Sequence, residues 1–135
     1  MTSATSFGIY LLSQHADVQQ KVYEEITKIV GDDITVFPTH SQLQDMKYVE
    51  CCIKEILRLF PPVPMYGRNL DEDLDLDGKI VPAGTNFNLM IYILNRNPQY
   101  FKYPEKFIPE RFNEANERNE NPFVYVPFSA GPRNW

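Results

Sequence analysis

The placement of proline most constrains what this chain can fold into. A helical pattern from about Lys47 to Phe60, with Val49, Ile53, Ile56, Leu57 and Phe60 apolar, meets Pro61-Pro62. Proline lacks the amide a helix needs and disfavours helix in the residue before it, so the pattern must stop there. From Asn95 onward, Pro98, Pro104, Pro109, Pro122 and Pro127 punctuate the chain and predict an irregular region. Long regular elements are therefore confined to the first part of the sequence.

That first part reads as helices. Residues 2–14 (Phe7, Ile9, Tyr10, Leu11, Leu12) are apolar nearly all round, which predicts burial within a larger protein. From His15 to Val30 the pattern is amphipathic. Val18, Val22, Ile26 and Ile29 fall on one face, Gln19, Lys21, Glu24 and Glu25 on the other, and Gly31 supplies a stop. Thr39-His40-Ser41-Gln42 fits a capping box and opens a further helical segment. The middle of the chain turns to strands. Leu74 and Leu76 alternate with Asp73, Asp75 and Asp77, as in a half-buried strand, and Asp77-Gly78 predicts a hairpin turn into Lys79-Ile80-Val81. Pro82-Ala83-Gly84-Thr85 is a second turn, before the apolar run from Phe87 to Leu94.

Composition narrows the class. At 43% hydrophobic and 13% aromatic, the 135 residues read as one globular domain's worth of chain, not as disorder. A formal charge of −5 without a basic run argues against nucleic acid or anionic lipid as the main partner. No stretch is long and apolar enough to span a membrane, and the N-terminus carries no signal-peptide pattern. Cys51 and Cys52 are adjacent, which excludes a disulfide framework and suits a reducing compartment. The opening in mid-pattern and the end on Trp135 within a glycine turn suggest that both termini are cuts.

Several residues could carry chemistry. Glu55 and Arg58 stand on one helix face, and alone they are read most simply as a surface ion pair. Phe128-Ser129-Ala130-Gly131-Pro132-Arg133 could be a simple turn. Taken alone, the simple turn is the preferred reading; the other is backbone passing close to a flat ligand, with an arginine able to reach a carboxylate. Arg68 could be a solvated strand-edge residue. Asp73-x-Asp75-x-Asp77-Gly78 resembles the start of a calcium loop, but the twelfth position is Gly84 where a glutamate is needed, so calcium is rejected. The two cysteines, with only His15 and His40 elsewhere, are poor metal ligands and read as packing residues.

Together, in this order, the segments resemble the cytochrome P-450 family. Glu55-x-x-Arg58 is similar to its K-helix motif and Pro109-Glu110-Arg111-Phe112 to its meander motif. Phe128-x-x-Gly131-x-Arg133 is similar to the first part of its haem loop. Val18 to Ile26, Lys54 to Pro64, Val81 to Thr85 and Arg96-Asn97-Pro98 resemble the fatty-acid-hydroxylase branch, family 4, common in insects. The resemblance implies a mainly α fold with a small β sheet. It would be a partial P-450 fold running from the I-helix end through the J and K helices, the β1 sheet and the meander to the start of the haem loop, as one incomplete domain.

The resemblance also implies roles. Glu55 and Arg58 would form a buried network with Arg111. Arg68 and Arg133 would bind haem propionates, Phe128 would pack near the proximal ligand, and Gly131 would allow close approach to the porphyrin. Val63, Pro64, Met65 and Tyr66 would face substrate. The parent would be an iron-containing haem monooxygenase of the endoplasmic reticulum membrane, cytoplasmic face, held by an N-terminal anchor. It would take electrons from NADPH-cytochrome P-450 reductase, with cytochrome b5 as a further donor, and oxidise a fatty-acid-like or xenobiotic substrate with O₂.

Three departures stand out. The acid-threonine pair that the family uses in oxygen activation is expected before residue 1, with Met1-Thr2-Ser3-Ala4 resembling only the tail of that motif. Trp135 occupies the position of the family's thiolate cysteine, and indole has no lone pair to offer iron, so no catalytic residue or metal ligand is expected within the chain. Asn95 stands where relatives of this branch usually carry histidine. The chain alone is expected to be inactive and poorly soluble. A truncated, non-catalytic binding or decoy module is the alternative.

Overall fold

The computed structural model describes residues 2–33, 35–113 and 121–130. Helices α1 (Thr2–Gln14), α2 (Ala16–Val30), α3 (His40–Asp45) and α4 (Lys47–Leu59) come first. Strands β1 (Tyr66–Asn69), β2 (Leu74–Leu76), β3 (Lys79–Val81) and β4 (Asn86–Leu89) follow. A short α5 (Ile91–Leu94) and a 3-10 turn at Pro109–Phe112 complete the regular structure.

Helix α4 is the centre of the packing. Cys52, Ile56 and Leu59 pack with Leu11 of α1, Val18 of α2 and Phe107. Cys51, one residue earlier, packs instead with Phe101, Phe112 and Val124. Successive helical residues point about 100° apart, so the adjacent cysteines enter two different clusters on either side of α4. Burial pushes the Cys52 thiol up to about 12. Cys51 donates a weak bond to the Phe112 carbonyl at 3.3 Å. Helix α1 approaches α4 closely where Gly8 sits. A Cβ there would lie 3.1 Å from Ile56 Cδ1.

Local signals form as their chemistry dictates. Thr39 Oγ1 accepts from the Gln42 amide and Gln42 Oε1 accepts from the Thr39 amide, a reciprocal capping box that starts α3. Asp77 and Gly78 both take positive φ, 49° and 84°, the left-handed pair that a two-residue hairpin turn needs. β2 and β3 pair antiparallel with Leu74 opposite Val81.

Four expectations are corrected. The strands make two separate two-stranded sheets, β1–β4 and β2–β3, rather than one small sheet. Leu74 and Leu76 are exposed, not half-buried, because every residue from 71 to 80 faces solvent on this free ribbon. The run from Phe87 to Leu94 changes at Met90 from strand to a helical turn, where the Tyr92 amide donates to the Pro64 carbonyl. Helix α1 buries only Gly8 and Leu11, leaving Ile9 and Tyr10 exposed, because its neighbours among the described residues, α2 and α4, cover one side.

Candidate functional site

One helical turn along α4 separates Glu55 from Arg58, and both side chains are fully buried. Arg58 Nε donates to Glu55 Oε2 at 2.8 Å and Nη2 to Oε1 at 2.9 Å, a bidentate pair. The remaining guanidinium donors reach main-chain carbonyls far along the chain. Nη1 donates to Asn95 O at 2.8 Å and Pro104 O at 2.7 Å, and Nη2 to Lys106 O at 3.1 Å. A guanidinium has five N–H groups, and all five are used. The Phe101 ring lies against the same group, 5.1 Å away.

Glu55 is equally committed. Its Oε1 also accepts from the Ile108 amide at 2.9 Å and from Arg111 Nε at 3.0 Å. Arg111, on the 3-10 turn, donates further to Lys102 O and Tyr103 O. Burying an isolated ion costs several kcal/mol, roughly, and full hydrogen bonding is what makes this arrangement tolerable. Asn95 joins from the end of α5, donating from Nδ2 to Arg58 O at 3.1 Å, while its Oδ1 has no partner among the described residues.

A second arginine sits in a different setting. Arg68 lies on β1 opposite Phe87 of β4, with an exposed side chain. Its Nη2 donates to Ser129 Oγ at 2.7 Å and its Nη1 to Gly67 O at 2.9 Å. It borders a largely apolar cavity of about 540 Å³ whose walls include Tyr66, Leu89, Ile91, Phe123 and Val126. Tyr66 donates to Pro127 O at 2.6 Å, and burial raises its hydroxyl pKa above the ordinary value. Sheet β1–β4 and the segment 121–130 thus meet around one guanidinium that no carboxylate pairs among the described residues.

The candidates from sequence therefore fall into three groups. Glu55, Arg58 and Arg111 are brought together. Arg68 and Tyr66 border the cavity, while Val63, Pro64, Met65 and Phe128 are exposed and not among its walls. Gly131, Arg133 and Trp135 lie outside the described residues. In the aspartate run, Asp73 accepts from the Ala83 amide and Asp75 from the Gly78 amide, so both serve the hairpin's own backbone.

Four polar residues to which the sequence assigned no role of their own also brace this region. Glu25 of α2 accepts from the first amides of α4. Arg96 donates to Leu59 O at 2.7 Å, at the other end of the same helix, and stacks on Tyr92. Lys21 donates to Glu110 at 2.7 Å, and Tyr48 donates to the same oxygen at 3.0 Å. Burial alone would raise the Glu110 carboxyl, but these two donors outweigh it and hold it below its usual value. Helical spacing shows which side of α2 Lys21 and Glu25 occupy, but not what that side meets.

A helix with a buried Glu-x-x-Arg pair, locked to an irregular proline-rich segment by a second arginine, defines a class of protein. The family model "Cytochrome P450" matches residues 1–134, and the chain belongs to that family. It is 50% identical over 133 residues to cytochrome P450 4c3 of Drosophila melanogaster, covering 98% of this chain and 25% of that relative. It is 49% identical to cytochrome P450 4d2 of the same organism, over 98% of this chain and 26% of the relative. Cytochrome P450 4V2 of Mus musculus is 43% identical over 132 residues, 98% of this chain and 25% of the relative. These are family 4 members, and the chain spans about a quarter of their length.

Proposed function

We propose that this chain is part of one domain of a haem-dependent monooxygenase, with α2 as its J helix, α4 as its K helix and residues 95–113 as its meander. The observation that carries this reading is the buried Glu55–Arg58–Arg111 network, which joins the two motifs the family spaces this way. Haem suits the residues around the cavity: a flat apolar ring needs apolar walls, and its carboxylates need an arginine not already paired with acid. Arg68 offers both conditions at once. In this reading Arg68 and Arg133 bind the propionates, Gly131 lets the backbone approach the ring, and Phe128 packs on the proximal side. Val63, Pro64, Met65 and Tyr66 contact substrate.

When bound, haem supplies the activation of O₂ for insertion of one oxygen atom into a fatty-acid-like or xenobiotic substrate. Electrons come from NADPH through cytochrome P-450 reductase, with cytochrome b5 as a further donor, at the cytoplasmic face of the endoplasmic reticulum. No helix among the described residues is long and apolar enough to cross a membrane. The chain by itself is inactive in this reading, because the thiolate is not among its residues. The test is the reduced carbon-monoxide difference spectrum of the full-length protein. A thiolate-type band supports the proposal and its absence overturns it.

Trp135, at the thiolate position, favours a second reading: a non-catalytic binding module. Sequencing the transcript through codon 135 separates the two. Cysteine there supports the monooxygenase, and a confirmed tryptophan supports the module.

A further inference from the structure

Helix α4 carries both Glu55 and Arg58, so whatever fixes its start also fixes the network. That start has no cap of its own. The N-cap residue is Met46, which makes no side-chain capping bond and is buried. Serine, threonine, aspartate or asparagine at this position would satisfy the amides at the second and third helical residues. Those amides are Tyr48 and Val49. Here Tyr48 N donates to Glu25 Oε1 at 2.9 Å, and Val49 N donates to Glu25 Oε2 at 2.8 Å.

Glu25 thus does from a neighbouring helix what an N-cap side chain does within one. Each carboxylate oxygen takes one of the orphan amides, and the negative charge faces the positive end of the α4 dipole. Burial of Met46 explains why the local residue cannot serve. The apolar side chain is drawn into the interior, and the acceptor has to come from elsewhere.

We propose that Glu25 is a positioning residue for the Glu55–Arg58 pair, acting by capping α4 across the α2–α4 junction. Its functional consequence rests on the haem-protein reading above. With Glu25 in place, α4 cannot fray from its first turn or slide along α2, and the turn bearing Glu55 stays in register with the Ile108 amide and Arg111.

A packing role and a capping role are separable, because Glu25→Gln keeps the shape and loses the chemistry. A carboxamide offers one acceptor oxygen, and its NH₂ group would face an amide N–H. The experiment is native-state hydrogen exchange on the full-length haem protein, comparing wild type with Glu25→Gln, Glu25→Ala and the control Glu24→Gln. Haem release from the same samples is measured in parallel. Exchange is expected to rise about tenfold at both Tyr48 and Val49 in Glu25→Ala, and at the one amide that would face the NH₂ group in Glu25→Gln, as for loss of an N-cap. Haem release should quicken by about threefold or more, and Glu24→Gln should match wild type. Unchanged exchange in Glu25→Gln overturns the cap. Faster exchange with unchanged haem release overturns the positioning role. If the wild-type protein holds no haem, the monooxygenase reading falls, while the exchange data still decide the cap.

Discussion

Arg58 and Arg68 are the same side chain put to opposite uses ten residues apart. Arg58 is fully buried and spends every donor inside the protein, two on a carboxylate and three on carbonyls. Arg68 is exposed, holds one hydroxyl and one neighbouring carbonyl, and borders an apolar cavity. A guanidinium whose donors are all used can only hold a structure together. One with donors to spare can receive a ligand. The family resemblance marks both as arginines of interest, and only the geometry shows that one is buried with every donor used and the other exposed with donors to spare.

The comparison breaks most readily at Glu55. In the full-length protein, Glu55→Ala leaves Arg58 without its carboxylate in a site closed to water, at an expected cost of about 3–5 kcal/mol. Urea denaturation measures this, and a stability close to wild type would show that Arg58 does not depend on the pair. Arg68→Ala sharpens the other side. Stability should move by less than about 0.5 kcal/mol, as for an exposed side chain. Haem affinity should fall about tenfold, as for a lost charge-assisted bond, measured by haem titration of the apoprotein.

Asn95→Ala is a milder probe of the buried network. It removes the bond to Arg58 O and also a carbonyl oxygen with no donor among the described residues, so about 1 kcal/mol is expected from the same denaturation curves. The smallest effect concerns Glu110. Its folded-state pKa is depressed below 4.5, so its contribution is complete above 4.5 and is lost as pH falls through the folded value. Glu110→Gln should therefore reduce the acid dependence of stability in that window. Salt should shrink the difference, because Lys21 and Glu110 are both partly exposed.

What could be read from the sequence was local. Thr39 and Gln42 cap each other across three residues, Asp77-Gly78 turns a two-residue hairpin, and Glu55 and Arg58 meet within one turn of helix. Each depends on geometry that a few neighbouring residues settle among themselves. The rest depends on what the chain brings from a distance. Arg58 binds carbonyls 37 to 48 residues away, and Glu25 caps amides 23 and 24 residues away. Main-chain carbonyls carry no sequence signature, so the exact partners could not be foreseen. The exposure of Leu74 and Leu76 has the same origin. Alternation shows that two leucines share a face, but not whether anything lies against it.

The five-way grip of Arg58 also decides how this region comes apart. Residues 95–108 form almost no regular ladder that could survive by itself, and three of their carbonyls close on one guanidinium rooted in α4. Opening either partner strips hydrogen bonds from the other, so α4 and this segment open as one cooperative unit. The β2–β3 ribbon shares none of these bonds, and a protease can sample it while the α4 unit stays shut.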